Sequence, residues 1–285
     1  MKVLQFLRLQ VPPLGGGGGI TIILLFLFSN CHAQDSLAFT IGGNNFAQQK
    51  FDEAIYWYNK SIAKNYKAAE SYRYIGSSWL RLGDEHAARK NLFHSLSLDS
   101  TAARTFEEIG TFYLYQAILD SAVIWFTKAI NKDPHVAYFY DNRGVTFIQL
   151  GELEKGIADE DMAISLEPHE SVYVSNRGYG IQKQGKFEEA ITVYQQALKM
   201  GPSMEVNFTT YINVAFCHVK LEQYQTAMEE CTRVLNRFRD NTYALTVRGM
   251  AFIGLSKKQE ACSDFNALYN LDKIQGQEYL DKYCK

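Results

Sequence analysis

The sequence predicts an all-α chain, a stack of about seven helical hairpins, and three observations carry that prediction. Glycines stand at positions 42, 76, 110, 144 and 178, each 34 residues after the last. Small residues follow twelve positions later at Ala54, Ala88, Ala122, Gly156 and Ala190, and again at Ser61, Ser95, Ala129, Ala163 and Ala197. Three residues are inserted near Glu205 to Asn207, after which the pattern resumes with Ala215, Ala227 and Val234, and then with Gly249, Ala261 and Leu268. One such unit cannot bury its apolar face alone, so stacking of neighbours must supply the core.

The first element is an export segment. Ile20 to Phe28, ITIILLFLF, is too short to span a bilayer as a helix but suits the core of a secretory signal. Lys2 and Arg8 give the positive flank, and SNCHAQDS offers a cut after Ala33. FSNC also loosely resembles a lipobox that would acylate Cys31, although Asn30 fits poorly before that cysteine. Residues 1–33 are therefore expected to be a signal peptide, and the chain exported to the periplasm or beyond. An outer-membrane lipoprotein anchored at Cys31 is the alternative.

The repeats follow as 35–68, 69–102, 103–136, 137–170, 171–204, 208–241 and 242–275. In each, a first helix carries apolar residues at helical spacing around its glycine, as Ile75, Gly76 and Trp79 do. A break comes next, at Gly83, Gly151 and Gly185 in three repeats, where glycine suits a helix end. The second helix opens on an aromatic residue or Leu, as in FDEAIYWYNKSI and FEEAITVYQQAL. Pro134, Pro168 and Pro202 stop it, because proline cannot continue a helix. Residues 276–285 read as a polar-faced capping helix.

This pattern of period, small positions and aromatic positions resembles the tetratricopeptide repeat, over about residues 35 to 275. The resemblance implies a right-handed α-α superhelix whose first helices line a concave groove and whose second helices face outward. It also implies a non-catalytic scaffold that binds a protein or an extended peptide in that groove.

Site residues follow from the repeat frame. Asn142, Asn176 and Asn213 share one offset and resemble the asparagine ladder of some tetratricopeptide proteins, since an amide offers both a donor and an acceptor to a peptide unit. Val145, Tyr179, Phe216 and Met250 share a further inward offset, with Tyr138, Ile212 and Tyr243 nearby, and are expected to form side-chain pockets. Arg73, Arg81, Arg104, Glu70 and Glu107 would make the equivalent surface of the first three repeats charged. A chaperone-tail clamp is argued against, because no three consecutive repeats supply its Lys, Asn and Arg set.

The acidic run Asp159-Glu160-Asp161 reads as scaffold. Arg143 and Asp159 lie 16 apart, as do Arg248 and Asp264, so both are expected to be ion pairs within a repeat. Glu160 occupies a slot held elsewhere by Tyr58, Leu92, Phe126, Tyr194 and Phe265, and is expected to share Arg143 or reach Arg177. Cys217 and Cys231 read as buried thiols; Cys262 and Cys284 are a candidate disulfide fastening the cap.

Several function classes have no support in the sequence. Net charge is −2, and −4 once Lys2 and Arg8 are removed with the signal, so there is no electrostatic footprint for nucleic acid. There is no HExxH, phosphate-binding loop or GxSxG, and no cofactor or metal is expected. His135 and His169 fall in equivalent turns, His86 and His94 lack a third ligand, and His218 sits in an aromatic slot. The reading is a peptide-binding scaffold in cell-envelope assembly or secretion, touching membrane only through lipidation at Cys31. The alternative is a glycan-binding envelope protein using Trp57 and Trp125 as exposed platforms.

Overall fold

Each hairpin is built around one contact, between a glycine of the first helix and the residue 16 positions later in the second. Gly42 faces Tyr58, Gly76 faces Leu92, Gly110 faces Phe126, Gly178 faces Tyr194 and Gly249 faces Phe265. A Cβ on Gly110 would stand 2.6 Å from the Phe126 ring, and one on Gly249 would collide with the Phe265 ring. The absent side chain is the space the large one fills, and all five facing residues are fully buried. Repeat six redistributes the volume. Ala215 replaces the glycine, the smaller Cys231 replaces the ring, and both are fully buried.

The structure, a computed structural model, describes residues 36–201 and 204–285. The expected signal segment 1–33 with its cut after Ala33, the lipidation candidate Cys31, and the stop at Pro202 lie outside the described residues. Among the described residues every regular element is a helix, giving the all-α repeat solenoid. The chain divides after Ser100 into two compact units. In the first, α1 (36–47), α2 (Phe51–Ala63), α3 (Ala68–Leu82) and α4 (Glu85–Leu98) make two hairpins. The second contains five hairpins: α5 (Ala103–Tyr115) with α6 (Leu119–Lys132), α7 (Ala137–Leu150) with α8 (Leu153–Leu166), α9 (Ser171–Lys183) with α10 (Phe187–Met200), α11 (Met204–Lys220) with α12 (Tyr224–Leu235), and α13 (Thr242–Gly254) with α14 (Lys258–Leu271). α15 (Lys273–Tyr283) covers the last hairpin.

The turn inside each hairpin uses one left-handed residue at a recurring position: Gln49, Gly83, Ala117, Gly151, Gly185, Glu222 and Ser256. The expected glycine breaks are the three that occupy this conformation at no steric cost. The other four hold it with a Cβ, at φ of 54 to 61°. Pro134 and Pro168 stand two residues beyond the ends of α6 and α8.

The inserted residues near Glu205 to Asn207 do not form a separate linker. α11 starts at Met204, so the insertion lengthens the first helix of repeat six, with a kink at Asn207 (φ −109°, ψ 16°). Within the second unit, α5, α7, α9 and α11 each pack on the next first helix, whereas successive second helices make no comparable contact. That stack is therefore tighter along its first helices.

Arginines tie the hairpins together. Arg248 donates from Nε and Nη2 to Asp264 at 2.8 and 2.7 Å, and from Nη1 to Thr232 at 3.3 Å. It reaches 16 residues forward to its own second helix and 16 back to the preceding one. Arg143 does the same with Asp159 and Thr127. Arg177 has Val193 rather than an acid 16 ahead, so it turns back to Asp161 at 2.7 Å. This corrects the expectation for Glu160: both arginines are taken by its neighbours, and it is fully buried with neither carboxyl oxygen meeting a donor.

At the C-terminal end, Tyr279 and Tyr283 stack on Phe265 at 5.0 and 5.8 Å, and Cys262 is disulfide-bonded to Cys284. Asp272 caps the N-terminus of α15 by accepting from the backbone N–H groups of Ile274 and Gln275. Cys217 and Cys231 are free and buried, and burial pushes both thiols up to about 12, which leaves them inert as nucleophiles.

Candidate functional site

The close approach of successive first helices brings their equivalent positions within hydrogen-bond reach, and the polar residues there pair across repeats. Twice in succession, the residue three before one repeat glycine accepts from the residue two before the next. Asn142 Nδ2 donates to Glu107 Oε1 at 3.0 Å, and Asn176 Nδ2 donates to Asp141 Oδ1 at 2.7 Å. The ladder breaks at the insertion. Ser175 meets Thr210 at 2.8 Å instead of an asparagine, and Asn213 accepts from the Tyr243 hydroxyl at 3.1 Å. The extra turn of α11 is the physical reason, because it carries Asn213 past the rung that Asn142 and Asn176 occupy.

A cavity of about 710 Å³ opens along α7, α9, α11 and α13, where the ladder breaks. Val145, Asn176, Tyr179, Asn213, Phe216 and Tyr243 line it, so six of the expected groove residues are brought together. The remaining four are not part of that wall. Ile212 is only 1% exposed and belongs to the core with Ala215 and Leu245, which corrects its assignment to the groove. Met250 packs against that same core. Tyr138 lies edge-on to Phe139 at 4.7 Å, and Asn142 is the rung to Glu107.

Gln182, Ser175, Thr210 and Asn207 also line the cavity and were not singled out in the sequence. Only the 35-residue spacing of Ser175 and Thr210, one more than the period, hints at them. Gln182 Oε1 accepts from the buried Tyr194 hydroxyl at 2.9 Å, which fixes its side chain from behind. Lys183 is the one charged residue in the described lining. Its ammonium sits 5.4 Å from the Tyr179 ring centroid. The wall thus offers amides, hydroxyls and aromatic faces, with one positive charge.

Other expected surfaces look different in the structure. Arg73 is buried, with its guanidinium 4.1 Å from the Tyr74 ring, so it is not part of a charged exposed face. Trp57 and Trp125 are half-buried rather than open platforms. Trp125 stacks on Phe106 at 5.9 Å and carries the Lys128 ammonium 3.8 Å from its ring. His218 bonds Gln223 at the end of α11 instead of filling an aromatic slot, and His94 packs against the Tyr72 ring at 4.3 Å. No helix among the described residues is long and apolar enough to cross a membrane.

The tetratricopeptide repeat family model matches residues 182–203, spanning the second helix of repeat five. Helical hairpins at the same period run through the rest of the described chain. The fold is that of a tetratricopeptide repeat array. A solved tetratricopeptide repeat protein from Parabacteroides merdae is similar over 88% of this chain and 99% of that one, with TM-score 0.71 and 14% identity. PilW, described as a widely conserved type IV pilus biogenesis factor, is similar over 75% of this chain and 99% of its own (TM-score 0.67, 18% identity). PilF of Pseudomonas aeruginosa is similar over 76% and 98% (TM-score 0.62, 18% identity). At these identities the likeness is one of fold.

In sequence, the tetratricopeptide array is 33% identical over 63 residues to the peptidyl-prolyl cis-trans isomerase PASTICCINO1 of Arabidopsis thaliana. That match spans 22% of this chain and 10% of the relative's length. Tetratricopeptide arrays commonly serve as protein-interaction scaffolds.

Proposed function

We propose that this tetratricopeptide array is a non-catalytic scaffold that holds an extended protein segment in the cavity along α7, α9, α11 and α13. The observation that carries this reading is the lining: Asn176, Asn213 and Gln182 beside the rings of Tyr179, Phe216 and Tyr243. Amides match the alternating donors and acceptors of a peptide backbone, and aromatic faces match apolar side chains. The near absence of charge in the wall favours a neutral or weakly acidic segment. The signal-like residues 1–33 and the fold shared with PilW support a role in cell-envelope assembly or secretion, in the periplasm or anchored at Cys31.

A crosslinked pull-down from the native envelope tests it, with the chain as bait beside two variants. The first, Tyr179→Ser with Phe216→Ser, strips the cavity of two rings. The second, Ile124→Ser, alters an exposed residue of a second helix. A partner lost only with the cavity variant, at unchanged thermal stability, is the expected result. A partner retained by both would overturn the cavity as the binding site.

A further inference from the structure

Repeat four departs from the others at two positions of its second helix. Gly156 stands where the other repeats have Ala54, Ala88, Ala122, Ala190, Ala227 and Ala261, and Glu160 stands where they have a ring, Leu92 or Cys231. The two changes belong together. A Cβ on Gly156 would stand 2.6 Å from Ile148 Cγ1 and 2.8 Å from the Gly144 carbonyl, so its absence lets α8 close on α7. Glu160 then lies directly against Gly144, with no solvent exposure and no donor at either oxygen.

A bare carboxylate in that place is costly, so the groups facing it decide its state. On its own helix these are Asp159 and Asp161, and on α7 Asp141, which itself feels Tyr173 of α9 and Glu170 at the start of that helix. Arg143 is engaged by Asp159, and Arg177 by Asp161. Tyr173 directs its hydroxyl to Glu167 at 3.4 Å. Asp141 remains, the one acid from outside α8 that a side-chain hydrogen bond links to Glu160, and two carboxyl groups can bond only through a proton.

We infer that Glu160 and Asp141 share one proton, held on Glu160, and that this pair fixes which end of the Asn176 amide faces the cavity. Glu160 donates to Asp141, and Asp141 stays an ionised carboxylate that can only accept. Asn176 must therefore offer it Nδ2, at 2.7 Å, which leaves the carbonyl Oδ1 for the cavity. A ligand meeting Asn176 must bring a donor, such as a backbone N–H or a hydroxyl. With the proton on Asp141 instead, the amide could turn over and the wall would present N–H. Burial, and then the charge of Asp141, push Glu160 up to about 11; Asp141 is raised by burial but held down by its bond from Asn176. That difference keeps the proton on Glu160.

The ligand consequence rests on the cavity being the binding site; the proton and the amide orientation do not. The test is carbon and nitrogen NMR of the full chain between pH 4 and 9, following glutamate carboxyl carbons and asparagine side-chain amides. One glutamate carboxyl is expected to keep its protonated shift throughout and to vanish from the spectrum of Glu160→Gln. The Asn176 NH₂ resonances should be unchanged in Glu160→Gln, whose amide also donates to Asp141. They should become pH-dependent in Glu160→Leu, where Asp141 keeps the Asn176 amide but has lost the Glu160 donor. An ordinary titration of Glu160, or Asn176 resonances identical in the Leu variant at every pH, would overturn the inference. Lost partner capture with these resonances intact would instead sink only the proposed function.

Discussion

Arg143 and Asp159, on the facing helices α7 and α8, form a two-point ion pair with Nε to Oδ2 at 2.7 Å and Nη2 to Oδ1 at 2.8 Å. Both side chains are largely withdrawn from solvent, at 19% and 11% exposure. The pair between Arg177 and Asp161 has the same 2.7 Å distance but leaves Asp161 56% exposed, with one contact only. Distance alone does not rank them; burial and geometry do. Arg143→Met is expected to cost roughly 3 kcal/mol, because it strands a buried carboxylate and the Thr127 hydroxyl. Arg177→Met should cost less than about 1 kcal/mol. Urea unfolding of the two variants checks the difference, and equal losses would refute it.

Glu160 gives stability an unusual pH dependence. Its carboxyl holds a proton more tightly folded, up to about 11, than at its ordinary value of 4.5. The contribution is therefore full below the unfolded value and is lost as pH rises towards the folded one. In that window each pH unit removes about 1.4 kcal/mol through this group. Glu160→Gln is neutral at every pH and lacks the slope. Thermal melts at pH 5 and pH 8 should show a larger fall in Tm for the wild type than for the variant. Parallel falls would mean that the folded chain ionises Glu160 normally.

Ala117 holds φ of +54° at the hairpin position where Gly83, Gly151 and Gly185 sit with no steric penalty. A Cβ in that conformation costs ~1 kcal/mol or more, so Ala117→Gly should raise stability by about that amount, less the extra freedom of an unfolded glycine. Ser256→Gly should act in the same direction. A drop in Tm for both variants would show that other contacts dominate at this turn.

The disulfide between Cys262 and Cys284 joins α14 to the chain end just past α15, across a sequence separation of 22. Closing a loop of that size is worth roughly 3 kcal/mol in the chain-entropy account. The stacked rings of Phe265, Tyr279 and Tyr283, the close approach of Gly276 to Tyr269 and the cap at Asp272 would still hold α15 once the bond is gone. Cys284→Ser should speed hydrogen exchange across α15 while leaving α7 to α10 unchanged. Uniform faster exchange along the second unit would show that the cap supports the whole stack rather than its end.

Much of this molecule is written in local spacing. The period, the Gly-to-aromatic pairing 16 residues apart and the stops at Pro134 and Pro168 are consequences of helix geometry and side-chain volume, so they can be read without coordinates. The partners of Arg143 and Arg248 follow from the same 16-residue offset. Cavity membership could be read only where it followed the repeat frame, as it does for Asn176, Tyr179 and Phe216.

Burial depth and the direction of one hydrogen bond depended on packing between repeats. Ile212 and Phe216 are one helical turn apart on α11, yet the first is core and the second lines the cavity, a difference set by what each meets on the neighbouring repeats. Glu160 stood out in the sequence because its slot belongs to rings. Its isolation from every cation was decided by tertiary structure, since Asp159 and Asp161 reach the two arginines first and Gly156 draws the helices together over the acid left between them.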